Sequence, residues 1–225
     1  HNGPHLRSDE AYGGYFNSIN RNKRSVVLDL KSEEGKDVFK RLSDDADILI
    51  ENFTVGTMDR LGLSYEELSE RNPELIFASI RGFGDPRVSD SPYVDRPAFD
   101  LIAQAMGGLM SITGTGETGP LKVDCGVGDI FPGVLTLVGI LSALHHREQT
   151  GEGQYVNMSM VDGVLGLTER IVHQYSVGGT IPEPQGNSHP LFFPYDRFPT
   201  EDGHIVITAL TNSQWQALCS HMDRR

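Results

Sequence analysis

Short apolar runs alternate with amphipathic stretches through the first third of the chain. Three of these runs have the length and apolar content of buried strands; they are SVVLDL at 25–30, ADILIEN at 46–52 and ELIFASI at 74–80. Helix signals stand between them. Ser32 precedes two acidic residues, as an N-cap does, and Ser64 forms a capping box with Glu67. This β-α-β-α-β order predicts an α/β fold, a Rossmann-like open parallel sheet with flanking helices.

The rest of the chain continues the alternation and then changes in composition. Its predicted parts are a loop at 81–97, a helix at 98–110, a Gly-rich loop at 114–120, an apolar helix after Asp129, a strand in GQYVNMSMV at 153–161 and a helix at 163–177. We therefore predict a large α/β domain at 1–178, a linker and loop at 179–194, and the beginning of a smaller domain at 195–225. In that last part HIVITAL predicts a strand and SQWQALCSHM a helix.

Charge and composition exclude several classes of partner. The formal net charge of −12 argues against a nucleic-acid or anionic-membrane binder, which needs a broad basic face. The most apolar stretch, Ile130 to Leu144, is interrupted by Pro132 and two glycines and is shorter than a membrane span. Cys125 and Cys219 lie far apart without metal spacing, so we expect two buried, reduced thiols and a cytoplasmic location.

The two ends of the chain do not coincide with the ends of a predicted domain. The chain begins with a polar stretch and stops directly after a Trp-containing helix pattern. We expect it to be a piece of a longer protein.

A glycine motif in the middle of the chain imitates a dinucleotide-binding fingerprint. Gly114, Gly116 and Gly119 spell G-x-G-x-x-G. The fingerprint requires a strand before it and a helix start after it, whereas Pro120 and an extended segment follow here. We therefore predict a flexible turn and no nicotinamide cofactor. The histidines show no ligand spacing and no G-x-S-x-G elbow is present, which argues against a metal site and a Ser-His-Asp triad.

Basic and polar residues mark two candidate ligand positions. Arg21, Lys23 and Arg24 precede the first predicted strand and Lys31 follows it. This cluster is either a solvated patch at a strand edge or a phosphate site. At the end of the second predicted strand stand Asn52 and Phe53, where open α/β sheets bind ligands. Asn52 is equally a capping residue, and Arg60 on the following turn is equally a partner for Asp59 or another nearby acid.

Asp129 is the most conspicuous single carboxylate in the sequence. It follows Gly126 and Gly128 and precedes a long apolar run in VDCGVGDIFPGVLTLVGILSAL. From the residue alone a helix N-cap is the favoured interpretation, with Pro132 in the first turn. The glycines also allow a ligand to approach closely, which leaves a catalytic role open.

These segments together resemble the class III CoA-transferase family, which includes formyl-CoA transferase and carnitine CoA-transferase. The resemblance rests on NRNKRSVVLDLKSEEG, on ADILIENFTVGTMDRLGLSYEELSERNPELIFASIRGFG, on PAFDLIAQAMGGLM, on GDIFPGVLTLVGILSALHHREQTGEGQYVNMSMVDG and on GNSHPLFFPYDRFPTEDG, in that order. It implies that CoA moves from an acyl-CoA donor to a small carboxylic acid. Asp129 would be the nucleophile, forming an aspartyl mixed anhydride and then an aspartyl-CoA thioester.

The same resemblance assigns further residues to the substrates. Positions that contact coenzyme A in the family correspond to Leu28, Lys31, Asn52, Phe53, Thr57, Arg60 and Leu61, beside the basic residues Lys23 and Arg24. The loop of Gly186, Asn187, Ser188 and His189 resembles a mobile glycine loop that shields the anhydride from water. Backbone amides of the turn around Asp129 would stabilise the developing oxyanion. Family members form interlocked homodimers, so a homodimer is expected. The resemblance also implies that an opening strand-turn-helix segment and most of the smaller domain are absent.

Two alternatives remain beside the transferase. A related branch, α-methylacyl-CoA racemase, pairs the equivalent aspartate with a histidine. This chain has Phe99 followed by Asp100 where that histidine stands in the racemase pattern, and an apolar ring cannot transfer a proton. The other alternative is a non-catalytic CoA-binding domain in which Asp129 only caps a helix. The sequence leaves the donor and acceptor acids open.

Overall fold

The structure is a computed structural model that describes residues 14–88 and 90–222. The chain divides into two compact units, residues 1–42 and residues 43–225, and each is described here by itself. The predicted boundaries near residues 178 and 194 therefore stay predictions. The polar opening of the chain and its last three residues lie outside the described ranges.

The first unit contains helix α1, Gly14–Ile19, and the beginning of helix α2, Glu33–Asp44. Ser32 caps α2 as predicted, because its Oγ accepts a hydrogen bond of 3.0 Å from the backbone N–H of Gly35. The predicted strand at 25–30 is wrong. Strands are held by hydrogen bonds to a neighbour, and the described sheets contain no strand that pairs with this segment. Val27 is accordingly 94% exposed.

The second unit holds the remaining elements. They are β1 Ile48–Glu51, α3 Thr57–Arg60, α4 Tyr65–Arg71, β2 Ile76–Arg81, α5 Asp100–Met106, α6 Leu109–Ile112, β3 Gly114–Thr115, β4 Gly119–Pro120, α7 Val127–Thr150, β5 Tyr155–Ser159, α8 Met160–Leu167, α9 Glu169–Gly178, β6 Tyr195–Pro199, β7 His204–Thr208 and α10 Asn212–His221. The capping box of Ser64 and Glu67 starts α4 as predicted.

A three-stranded parallel sheet in the order β1-β2-β5 forms the centre of this unit. The central strand β2 is buried along almost its whole length, which matches its continuous apolar sequence. Helix α7 packs on the sheet, where Ile76 and Ala78 of β2 meet Ile140 and Ala143 of α7. The parallel sheet with flanking helices confirms the predicted α/β class.

Two helices predicted as continuous are each broken into a pair. The predicted helix at 98–110 consists of α5 and α6 because Gly108 between them has a φ of 82°. The predicted helix at 163–177 consists of α8 and α9, and α8 begins earlier, at Met160. At the second break, Thr168 Oγ1 donates a hydrogen bond of 3.0 Å to the Gly107 carbonyl oxygen. The two breaks therefore lie against each other, a contact that helical periodicity does not reveal.

Two hairpins complete the unit. Strands β3 and β4 pair antiparallel across the G-x-G-x-x-G segment, so the predicted turn is confirmed, and no helix begins directly after its last glycine. Strands β6 and β7 form the second hairpin, of which only β7 was predicted. Helix α10 follows, as the pattern at 213–222 predicts, and a capping box of Thr211 and Gln214 starts it.

Helix α7 is the one described helix whose length and composition would suffice to cross a membrane. Core helices of soluble proteins share this length and composition, so these two properties do not distinguish them from membrane spans. The expectation of a protein without a membrane span stays a prediction.

The two cysteines are free, as predicted, and their predicted burial is wrong. Cys125 is exposed and Cys219 is only partly buried. Cys125 lies in the turn directly before α7, where the chain runs along the surface.

Candidate active site

A cavity of about 660 Å³ lies in the second unit, beyond the carboxyl ends of β1 and β2. Ligand crevices of open parallel sheets lie at this edge. Seventeen residues line it; they are Ile50, Glu51, Asn52, Phe53, Thr54, Val55, Ile80, Arg81, Gly82, Val94, Asp95, Arg96, Pro97, Ala98, Phe99, Asp129 and Met160. The cavity thus joins Asp129 to three residues that the resemblance assigns to the site, Asn52, Phe53 and Phe99.

Asp129 lies in the first turn of α7 and is not its N-cap. Gly126 is the N-cap, and Asp129 is the third helical residue, with an exposed side chain. The predicted cap is therefore wrong, and so is the placement of Pro132 in the first turn, because Pro132 is the sixth residue of the helix. The carboxylate therefore does not cap α7, and it lines the cavity.

Helix α5 holds the turn that carries Asp129. Asp100 Oδ1 accepts a hydrogen bond of 2.7 Å from the backbone N–H of Gly128. Gln104 Nε2 donates to both oxygens of Asp100, at 3.0 and 2.9 Å. Gln104 Oε1 also accepts a hydrogen bond of 2.8 Å from the N–H of Val123. Because Gln104 is fully buried, this link is rigid and positions the turn before α7.

The amides around Asp129 are already occupied. The N–H of Val127 donates to the Cys125 carbonyl, those of Asp129 and Ile130 donate to the Gly126 carbonyl, and that of Gly128 donates to Asp100. These four amides are therefore not free to stabilise an oxyanion in this structure, and an oxyanion role for the Gly-rich turn stays a prediction.

Two effects raise the pKa of Asp129 above its ordinary value. Partial burial of the carboxylate is the larger cause, and the negative charge of Asp100 is the second. A hydrogen bond from the backbone of Asp100 acts in the opposite direction and lowers the pKa. Since a carboxylate with a raised pKa is more basic, its ionised form is also the stronger nucleophile.

A buried ion-pair network forms the floor of the cavity. Arg81 Nη2 lies 2.9 Å from Glu51 Oε1, and Arg81 Nη1 lies 3.0 Å from Asp85 Oδ2. The other oxygen of Glu51 accepts a hydrogen bond of 2.8 Å from the N–H of Phe53. Ser79 Oγ also donates to Glu51. The network therefore fixes the Asn52–Phe53 turn, whose side chains face solvent and are free to contact a ligand.

The other predicted CoA contacts fall into two groups. Thr57 and Arg60 belong to α3 and Leu61 follows it, directly after the segment that lines the cavity. Arg60 Nη2 donates a hydrogen bond of 2.9 Å to Thr57 Oγ1, and Asp59 pairs with Arg87 instead of Arg60. The alternative that Arg60 pairs with Asp59 is thus wrong. The second group belongs to the first unit and comprises Lys23, Arg24, Leu28 and Lys31.

The loop of Gly186, Asn187, Ser188 and His189 lies elsewhere in the second unit. The N–H of Gly186 donates a hydrogen bond of 2.7 Å to the Gly114 carbonyl, which ties the loop to the β3-β4 hairpin. Ser188 Oγ donates to Asp196, and the His189 N–H donates to the Tyr195 carbonyl at 3.0 Å. None of the four residues lines the cavity with Asp129. Its role as a shielding loop stays a prediction.

Sequence reasoning missed four charged residues of the cavity: Glu51, Arg81, Asp95 and Arg96. Glu51 and Arg81 each stand at the last position of a strand pattern, which was the available signal. Arg96 lies in a long polar loop and carries no pattern of its own. Within the described ranges, no group of three or more His, Cys, Asp or Glu side chains is placed to hold a metal ion.

The sequence of this chain is similar to those of one known protein family. The family described as CoA-transferase family III matches residues 2–225. A succinyl-CoA:mesaconate CoA-transferase from Haloarcula hispanica is 54% identical over 216 residues, which are 96% of this chain and 54% of that protein. A succinate–glutarate CoA-transferase from Agrobacterium fabrum is 39% identical over 206 residues, 92% of this chain and 50% of that protein.

Solved structures agree with the sequence relatives. The crystal structure of a CAIB/BAIF family protein from Brucella suis superposes with a TM-score of 0.83 at 37% identity and covers 94% of this chain and 55% of that chain. The chain therefore belongs to CoA-transferase family III. It spans about half the length of the relatives it matches.

Proposed function

We propose that the complete protein transfers CoA from an acyl-CoA to a small carboxylic acid, with Asp129 as the nucleophile. One observation carries the assignment: Asp129 is exposed at a cavity of the family fold, and its side chain does not cap its own helix α7. The names of the relatives support CoA transfer between organic acids.

The proposed reaction is two successive exchanges at Asp129. The carboxylate attacks the thioester carbonyl; the C–S bond breaks, CoA thiolate leaves, and an aspartyl-acyl anhydride forms. The thiolate then attacks the aspartyl carbonyl, which releases the donor acid and leaves an aspartyl-CoA thioester. The acceptor carboxylate repeats the first attack on this thioester, and the thiolate finally takes the acceptor acyl group. Asp129 is regenerated with no net change in protons.

Phe99 favours this exchange over racemisation. It lines the same cavity as Asp129, and its ring is 77% exposed there. No histidine stands among the described residues of the cavity wall. A two-base proton transfer would need a second group beside Asp129 at that place, and Phe99 cannot supply it.

The proposed reaction moves an oxygen atom from the acceptor acid to Asp129, and this transfer provides its test. One carboxylate oxygen of the acceptor stays on Asp129 after each turnover. When the complete protein turns over an acceptor labelled with ¹⁸O in its carboxylate, we expect the label in the peptide that contains Asp129, detected by mass spectrometry. Asp129→Ala should abolish both labelling and CoA transfer.

A matched control is Asp124→Asn, since Asp124 is a fully exposed acid in the loop that leads into α7. This variant should take up label at Asp129 as the unaltered protein does. Turnover without label at Asp129 would contradict the proposal. Exchange of the acyl α-hydrogen with deuterated water would indicate a racemase, and CoA binding with neither result would indicate a binding domain.

A further inference from the structure

The charges that line the cavity do not balance. Glu51 and Arg81 neutralise each other in the buried network. Asp95 and Asp129 contribute two further negative charges to the wall. Arg96 is the remaining cation there, and its guanidinium makes no ion pair or hydrogen bond with the described residues. A cavity that receives anionic acids beside two carboxylates needs a cation that is free to bind them.

Arg96 is held in place without the use of its hydrogen-bond donors. Its backbone N–H donates a hydrogen bond of 2.8 Å to the Tyr93 carbonyl. Its guanidinium lies over the Tyr93 ring, with Cζ 4.9 Å from the ring centroid. A cation–π contact of this kind orients the guanidinium and leaves its N–H groups available. A planar fork of free N–H groups matches the two oxygens of a carboxylate.

We propose that Arg96 binds the distal carboxylate of short dicarboxylic acids and of their CoA thioesters. The inference rests on the proposed function, because CoA transfer consumes only one carboxyl group of the acid. The other carboxyl group stays ionised both in the free acid and in its thioester. One arginine can therefore anchor donor and acceptor alike, with the reacting carboxyl group directed to Asp129. Arg96 is a specificity-determining residue in this arrangement.

The test compares two acceptors of equal chain length, glutarate and valerate, with acetyl-CoA as a donor that has no distal carboxylate. In the complete protein, Arg96→Gln should lower kcat/KM for glutarate by about 10- to 100-fold, the range for a lost hydrogen bond to a charged group. The loss should appear mainly in KM, because the anchor acts in the ground state as well as in the transition state. Valerate should change by less than about 3-fold, since it has no second carboxylate for Arg96 to bind.

Arg170→Gln is the matched control, since Arg170 is an exposed arginine of α9 that does not line the cavity. It should leave both acceptors unaffected. Arg96→Lys should recover part of the glutarate preference, because it keeps the charge and loses the fork. Equal losses for glutarate and valerate, or no loss for either, would overturn the proposal.

Calorimetry separates this proposal from the proposed function. Glutarate should bind to the Asp129→Ala protein, and adding Arg96→Gln to that variant should weaken binding by a similar factor. Absence of ¹⁸O from Asp129 in the unaltered protein would refute the role of Asp129 as the nucleophile. The difference in glutarate binding with and without Arg96→Gln would still test the role of Arg96. Glutarate binding that is undetectable in the unaltered protein, or insensitive to Arg96, would overturn the anchor.

Discussion

At the scale of single residues, the chemistry of the site depends on two positions on different helices. Asp129 supplies a carboxylate from the first turn of α7, and Phe99, the residue before α5, contributes an apolar ring to the same wall. Asp100 stands next to Phe99 and acts on Asp129 by its charge and its hold on Gly128. Phe99 therefore supplies no proton-transferring group beside the proposed nucleophile, and the charge of Asp100 raises the pKa of that carboxylate.

The influence of Asp100 on Asp129 predicts a shift in pH dependence. Asp100→Asn removes a negative charge that raises the pKa of Asp129 and keeps an oxygen that can accept the hydrogen bond from Gly128. Attack requires the ionised form, so activity falls as the pH drops through the pKa of Asp129. In this variant that acidic limb should move to lower pH, as measured by the rate of label incorporation against pH.

Asp124→Asn serves as the reference for the loss of one negative charge near α7. Asp124 is exposed and does not contribute to the pKa shift of Asp129. The acidic limb of the pH profile of the Asp124→Asn variant should therefore coincide with that of the unaltered protein. A limb that stays in place or moves to higher pH in Asp100→Asn would show that the charge of Asp100 does not act on the nucleophile.

At the scale of elements, the contact between α5 and α7 decides where Asp129, the proposed nucleophile, lies. Gly128 brings the two helices together: a Cβ there would lie 2.6 Å from the Asp100 carbonyl oxygen and 3.1 Å from the Ala103 Cβ. Gly133 lies one and a half turns further along α7, and nothing stands within 4 Å of its Cβ position. A side chain at Gly128 would therefore push α5 and α7 apart, whereas α7 has room for a side chain at Gly133.

Alanine substitution at these two glycines should change stability in opposite directions. Gly128→Ala forces backbone atoms apart and should lower the free energy of unfolding by about 1–3 kcal/mol, the cost of overpacking. Gly133→Ala meets open space and should raise it by about 0.5–1 kcal/mol through helix propensity. Urea unfolding measures both. A Gly128→Ala protein as stable as the Gly133→Ala protein would contradict the close approach of α5 and α7.

At the scale of the whole second unit, one charge network joins the strand ends at the cavity to helices α3 and α4. Glu51 ends β1 and Arg81 ends β2, and Asp85 in the following loop contacts both Arg81 and Arg87. Arg87 continues the network to Asp59 of α3 and Glu66 of α4. Because Glu51, Arg81 and Asp85 are buried, removal of one partner leaves a charge that water cannot reach.

This network predicts an unequal response to the loss of single acids. Glu51→Gln should lower the free energy of unfolding by about 3 kcal/mol, at the low end for a broken buried ion pair, because Asp85 still faces Arg81. Asp44→Asn removes one acid of the more exposed pair with Arg71 and should cost less than about 1 kcal/mol. Urea unfolding of both variants checks the contrast, and similar losses would contradict the structural importance of the buried network.

Much of the local structure could be predicted because it depends on near neighbours in the chain. The caps at Ser32 and Ser64 and the strands β1 and β2 follow from short patterns. The segment at 25–30 shows the limit, since β-branched residues do not make a strand without a hydrogen-bonding neighbour. The broken helices show the same limit, because Gly107, Gly108 and Thr168 act through contacts between distant segments.

The sequence by itself determined the α/β class, the family and the identity of the candidate nucleophile. These rest on residue types and their order, which the chain carries in any conformation. Only the tertiary structure decided that Asp129 does not cap α7, that its neighbouring amides are occupied, and that Arg96 shares its cavity. Those facts depend on where α5, α7 and the ends of β1 and β2 meet, and packing between segments far apart in the chain sets that meeting.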